Sequence, residues 1–123
     1  MIERARLFLE AYSNLTDAMD LIAHTHSHDD VFIEYMQGRA WLFTSPKSAV
    51  LMRIETNPQG KSAEIWLCGG DLDELLIDLL PTLEEWAVKN GCRHMAYIGR
   101  NGWLKKMDKH GYQNGGSSMW REL

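Results

Sequence analysis

The apolar positions of this chain change period along its length. Residues 2–12 place Ile2, Ala5, Leu7, Phe8, Leu9 and Tyr12 among Glu and Arg, a helical pattern. Ser13 or Asn14 is expected to interrupt it. Asn14 or Thr16 would then cap a second helix carrying Ala18, Met19, Leu21 and Ile22. The run His24-Thr25-His26-Ser27-His28 breaks that helix. Ser27 reads as the N-cap of the next one, with Asp29 and Asp30 in a first turn where the helix dipole favours acids. Val31, Phe32, Tyr35 and Met36 return at helical spacing, and Gly38 ends the element.

From Ala40 the pattern becomes strand-like. Ala40 to Thr44 is apolar and aromatic, and Ser45-Pro46-Lys47-Ser48 is turn chemistry. Across residues 49–56, Val50, Met52 and Ile54 share one face and Leu51, Arg53 and Glu55 the other. Asn57-Pro58-Gln59-Gly60 is a second turn. A third strand over 62–68 is expected to put Ala63, Ile65 and Leu67 on one face, Glu64 and Trp66 on the other. Such short turns imply an antiparallel three-strand meander.

Asp71 is placed to cap a long helix with the stripe Leu72, Leu75, Leu76, Leu79, Leu80, Leu83, Trp86 and Ala87, ending at Gly91. Pro81 removes a backbone hydrogen bond to Ile77, and because the stripe keeps its phase, one kinked helix is predicted. A crossover of this length favours a parallel return, so strand 93–98 should lie parallel to strand 62–68. A shorter helix over about 101–110 should bury Trp103, Leu104 and Met107, with His110 at its margin and the lysines outward. Gly111-Tyr112 and a closing strand around Met119-Trp120 follow. The predicted architecture is α/β: a helical N-terminal part over 1–38, then a mixed sheet with crossover helices over 39–123, as one domain.

Bulk properties narrow the function. A chain of 123 residues buries about 65% of its unfolded surface, enough for a core without staples. The net charge of −4 argues against bulk electrostatic binding of nucleic acid, which needs clustered Lys and Arg. The one basic group, Arg100 with Lys105, Lys106 and Lys109, reads as the solvated side of a helix. Cys68 and Cys92 are too few for a disulfide framework and read as reduced core residues. With no signal-peptide pattern and no apolar run near about 20 residues, a cytosolic protein, or one packaged from the cytosol, is expected.

The order of elements, with Gly38-Arg39-Ala40-Trp41-Leu42, Trp86-Ala87, Asn90-Gly91-Cys92, Gly99-Arg100-Asn101-Gly102-Trp103 and Gly111-Tyr112 at their spacings, resembles the GNAT (acyl-CoA N-acyltransferase) fold. More narrowly, it is similar to the small GNAT-like proteins of tailed bacteriophages and prophages. The resemblance covers about residues 28–123. It implies a cleft between strands 62–68 and 93–98 that takes the pantetheine arm of acetyl-CoA or another acyl-CoA, with an amine as acceptor. It points to Leu67, Cys68, Gly69, Gly70 and Arg100 for the cofactor, and to a bacterial host's cytoplasm or a virion as the location. In the family, a phosphate loop lies between the first of these strands and the long helix. Here that space holds only Gly69-Gly70-Asp71, and Asp71, Asp73 and Glu74 would repel a pyrophosphate. Where many members carry a proton-donating Tyr, this chain has Met107.

Two classes therefore stay open: an N-acetyltransferase with a degenerate phosphate loop, and a non-catalytic GNAT-like protein for binding or virion assembly. For the first, Glu64 is a candidate base, with Glu55 an equal alternative, and Tyr112 is a candidate acid. The structural readings beside them are a cross-strand-paired Glu64 and a core Tyr112. If Trp66 faces outward with Glu64, it marks an interface or a ligand wall. The His24-x-His26-x-His28 run has metal-like composition. Its acids are better explained as first-turn residues, so a polar loop is expected and no metal.

Overall fold

In the computed structural model, which describes residues 2–98, 101–114 and 118–123, the N-terminal stretch is one helix rather than two. Helix α1 (Ile2–Leu21) runs through Ser13 and Asn14. Phe8, Ala11, Leu15, Ala18 and Met19 form a single buried stripe across the expected break, and Thr16 Oγ1 donates to the Ser13 carbonyl within the helix. Burial of a continuous stripe outweighs the weak helix propensity of one Ser-Asn pair. Helix α2 (His28–Met36) starts as expected. Ser27 accepts from the Asp30 amide, and the Asp30 carboxylate accepts from the Ser27 amide, a reciprocal capping box.

The strands follow as β1 (Trp41–Ser45), β2 (Ser48–Asn57), β3 (Gly60–Gly70), β4 (Cys92–Ile98), β5 (Gln113–Asn114) and β6 (Ser118–Glu122). They form one mixed sheet in the order β1-β2-β3-β4-β6-β5. The first three make the expected antiparallel meander, β4 lies parallel to β3, and the remaining pairs are antiparallel.

Between β3 and β4 the chain is helical with a local change of pitch. A short α3 (Leu72–Glu74) leads into a π-helical turn (Leu75–Leu79) and then α4 (Leu80–Lys89). The Leu80 amide reaches the Leu75 carbonyl, five residues back. Pro81 lacks an amide and its ring would meet the Ile77 carbonyl in a regular α-helix. The wider π turn immediately before Pro81 accommodates that by a local change of pitch. Leu75, Leu76, Leu79, Leu80, Leu83 and Ala87 remain buried along it.

Helices pack on both sheet faces. On one face α1 and α2 cover Ala49, Leu51 and Leu67. On the other, the π turn and α4 cover Val50, Met52, Ala63, Ile65, Cys68, Met95 and Tyr97, joined by Met107 of α5 (Asn101–Asp108) and by Tyr112. Trp103 and Leu104, expected to be buried on α5, lie outside the described side chains. Double coverage explains why Ala49 to Met52 is buried throughout instead of alternating.

Leu67 departs from the sequence expectation: it joins the α1 face, and Cys68 joins Ile65 on the α4 face. The cause is a β-bulge. The register passes from Met52↔Ile65 to Leu51↔Leu67, which leaves Trp66 without an opposite residue on β2. One extra residue reverses the side-chain alternation beyond it. Among the described residues no helix is long and apolar enough to cross a membrane.

Candidate functional site

The bulge sits where β3 and β4 part. The parallel register runs from Lys61↔Cys92 to Ile65↔Tyr97. β3 then continues along β2 from Trp66 to Gly70, while Ile98 pairs with Ser118 of β6. Along the edge of β3 from Trp66 to Gly70 the parallel pairing with β4 has therefore ended.

The residues proposed for a cofactor occupy this edge, and their surroundings are specific. Leu67 and Cys68 bury their side chains on opposite faces of the sheet. Cys68 and Cys92 are both buried and are not joined in a disulfide. Gly69 is pressed against α1, and a Cβ there would lie 1.8 Å from the Asn14 carbonyl oxygen. Gly70 has φ +97, and a Cβ would lie 2.1 Å from the Lys47 carbonyl oxygen. Both glycines thus serve close backbone packing. Arg100 lies outside the described residues.

The turn after β3 is closed by the chain's own acids. The Asp71 amide donates to the Lys47 carbonyl (2.8 Å), and the Asp71 carboxylate caps α3 by accepting from the Glu74 amide (3.1 Å). Glu74 reaches across to the β1–β2 turn. There its Oε1 accepts from the Lys47 amide at 2.8 Å, from Ser48 Oγ at 2.9 Å and from Ser45 Oγ. The Ser45 hydrogen bond above all, helped by those from Lys47 and Ser48, holds the Glu74 carboxyl below its ordinary pKa against the opposing effect of burial. Asp73 pairs with Lys106 at 3.1 Å. An anion at this helix start is thus supplied from within.

Glu64 stands on β3 directly opposite Arg53 of β2, with 3.5 Å between carboxylate and guanidinium. Arg53 also lies over the Trp66 ring, its Cζ 4.5 Å from the centroid. Trp66 is half-buried against the α1-face core, with the His26 ring edge-on to it, centroids 5.4 Å apart. Glu55, the alternative base, is exposed near the far end of β2, opposite Ser62.

Tyr112 is buried under α4. Its hydroxyl donates to Glu84 Oε2 at 3.0 Å, and Arg121 donates to the same oxygen at 3.1 Å and to the His110 carbonyl. Burial first, and the Glu84 charge second, push the Tyr112 phenol well above its ordinary pKa, so it holds its proton tightly.

The histidine run does not converge. His28 bridges Tyr12 and Asp20 of α1, while His26 turns to Trp66. Among the described residues no group of three or more His, Cys, Asp or Glu side chains is placed to share a metal ion. His26 and Arg53 are the residues that sequence reasoning did not select. The adjacent Thr25 and the cross-strand position of Arg53 were the available signals, but neither has meaning until the α1–α2 loop meets β3 at Trp66. Comparison with protein families, curated proteins and solved structures gave no match to this chain.

Proposed function

We propose that this chain is an acyl-thioester-dependent N-acyltransferase of GNAT type, taking acetyl-CoA or another acyl-CoA as donor and an amine as acceptor. The observation that carries the reading is the parting of β3 from β4. Their parallel pairing ends at Ile65↔Tyr97, and the bulge at Trp66 lies beside that end. The strand order, with its parallel pair inside an otherwise antiparallel sheet, supports the same fold relationship.

On this reading the backbone of Leu67 and Cys68 would bind the pantetheine arm, with its end near Gly69 and Gly70. Glu64, fixed beside Arg53, would lie on the acceptor side and help to position the amine. Tyr112, bound to Glu84 and buried, would be a poor proton donor to a leaving thiolate. The work of the site is to bring amine and thioester together and to stabilise the oxyanion through backbone amides. The host cytoplasm is where acyl-CoA would be met.

A specific observation also favours a second reading, a non-catalytic GNAT-like protein for binding or virion assembly. The turn at Gly69-Gly70-Asp71 is filled by Asn14, Lys47 and Glu74, so it offers a diphosphate no open amide cradle.

Calorimetry with acetyl-CoA, followed by thiol release on adding primary amines, separates the two. The first reading expects weak saturable binding and amine-dependent thiol release. No binding at millimolar acetyl-CoA would leave the second.

A further inference from the structure

Thr25 and His26, in the loop between α1 and α2, form a short directed hydrogen-bond chain. Thr25 Oγ1 donates to the Ile22 carbonyl at 3.1 Å, closing against the last turn of α1. That commits its only proton. The oxygen is therefore an acceptor for its other neighbour, His26 Nδ1, at 2.9 Å. His26 then carries its proton on Nδ1 and leaves Nε2 with an unshared pair. Among the described residues Nε2 has no hydrogen-bond partner, in contrast to His28, whose two ring nitrogens are both engaged.

The ring is also held in place. It stands edge-on against Trp66, the residue left unopposed by the bulge at the point where β3 and β4 part. The charged groups around it come from three elements. Asp30 and Glu34 lie on α2, and the His26 charge is a minor contributor to the lowering of both carboxyls, after the Ser27 hydrogen bonds for Asp30 and the Arg39 hydrogen bond for Glu34. Arg53 on β2 lies over the Trp66 ring and pairs with Glu64 on β3. Glu64 is engaged by Arg53, whereas His26 Nε2 is open. A base oriented by a third group on its other nitrogen is a recurrent catalytic arrangement.

We propose that His26 is the general base for the acceptor amine, and that Thr25 is the positioning residue that selects its tautomer. This rests on the acyl-transfer reading above. As the amine nitrogen attacks the thioester carbonyl, a C–N bond forms and Nε2 takes the nitrogen's proton. Collapse of the adduct breaks the C–S bond, and the imidazolium returns the proton to the departing thiolate. The products are amide and thiol, with His26 neutral again.

The test combines kinetics with NMR on the intact chain. In long-range ¹H–¹⁵N spectra of the wild type, His26 is expected in the Nδ1–H form. Thr25→Val should mix the tautomers, and Thr25→Ser should restore the wild-type pattern. In thiol-release assays with acetyl-CoA and primary amines, kcat/KM should fall toward acid pH as the base takes up a proton. His26→Gln should lower it by about 10²- to 10⁴-fold and remove that limb, without weakening acetyl-CoA binding. Thr25→Val should lose activity with the acid limb retained, and Thr25→Ser should recover it. An Nε2–H tautomer in the wild type, or a His26→Gln profile like the wild type's, would overturn the assignment while leaving acyl transfer intact. Absence of any amine-dependent thiol release by the wild type would overturn both.

Discussion

The Arg53 guanidinium carbon stands 4.5 Å from the centre of the Trp66 ring, covering the residue that the β3 bulge leaves unopposed. The same guanidinium faces Glu64 at 3.5 Å. A cation over a partly exposed indole contributes about 0.5–1 kcal/mol. Arg53→Ala is therefore expected to destabilise the fold modestly and to increase the access of iodide to Trp66 in fluorescence quenching. Because Arg53 is about one-third exposed, a double-mutant cycle with Glu64→Ala should return a coupling below about 1 kcal/mol.

Gly69 has no room for a side chain, since its Cβ would fall 1.8 Å from the Asn14 carbonyl oxygen. Gly69→Ala should push α1 off the sheet at a cost of about 1–3 kcal/mol or more, the range for overpacked interiors. Thermal melts and the loss of amide protection along α1 would check this. Substitution at Gly70 strains φ as well as contacts, so a bulky residue there tests folding before it tests ligand binding.

Glu74 ties the start of α3 to the β1–β2 turn. Its lowered pKa contributes stability that is present above the unfolded carboxyl's value, about 4.3, and lost as pH falls through the folded value. Glu74→Gln should be less stable than the wild type at neutral pH. The gap should narrow below about pH 4.3 as the wild-type carboxylate protonates, as urea melts across pH would reveal.

Tyr112 donates to a carboxylate from a buried site. Tyr112→Phe should cost about 1.5–3 kcal/mol, the range for a hydrogen bond to a charged group. Its raised pKa acts in the alkaline range. The unfolded phenol ionises near pH 10 while the folded one does not, so the wild type loses stability as pH rises beyond that point and up to the folded value. The variant should lack this contribution. Spectrophotometric titration near 295 nm should also lose its latest-ionising component.

The closed turn after β3 predicts an unusual donor preference. If the site grips only the pantetheine arm, acetyl-CoA and S-acetylpantetheine should bind with affinities within about tenfold, a difference of about 1.4 kcal/mol. A much tighter grip on acetyl-CoA in calorimetry would mean that the diphosphate is held elsewhere, with Arg100 the first residue to test.

Most of the architecture was legible in the chain, because each signal was local. Ser27 with Asp30 announced a helix start, the two Pro- and Gly-marked turns announced a meander, and the leucine stripe from Leu72 announced a crossover. Where reading failed, a distant contact overrode a local preference. Ser13-Asn14 stays helical because Leu15 and Ala18 must reach the sheet. The π turn before Pro81 lets Leu75 through Leu83 keep one buried face.

The candidate site was less legible for the same reason. Sequence alone gave Glu64 and the Gly69-Gly70-Asp71 shortening, since both depend on residue type and spacing. The bulge at Trp66 is a property of the pairing with β2, and it alone moves Leu67 across the sheet. The chain from Ile22 through Thr25 to His26, and the meeting of His26 with Trp66, exist only once the α1–α2 loop is brought to β3. Periodicity determines which faces are apolar. Register and packing decide which polar atoms are committed and which are left to act.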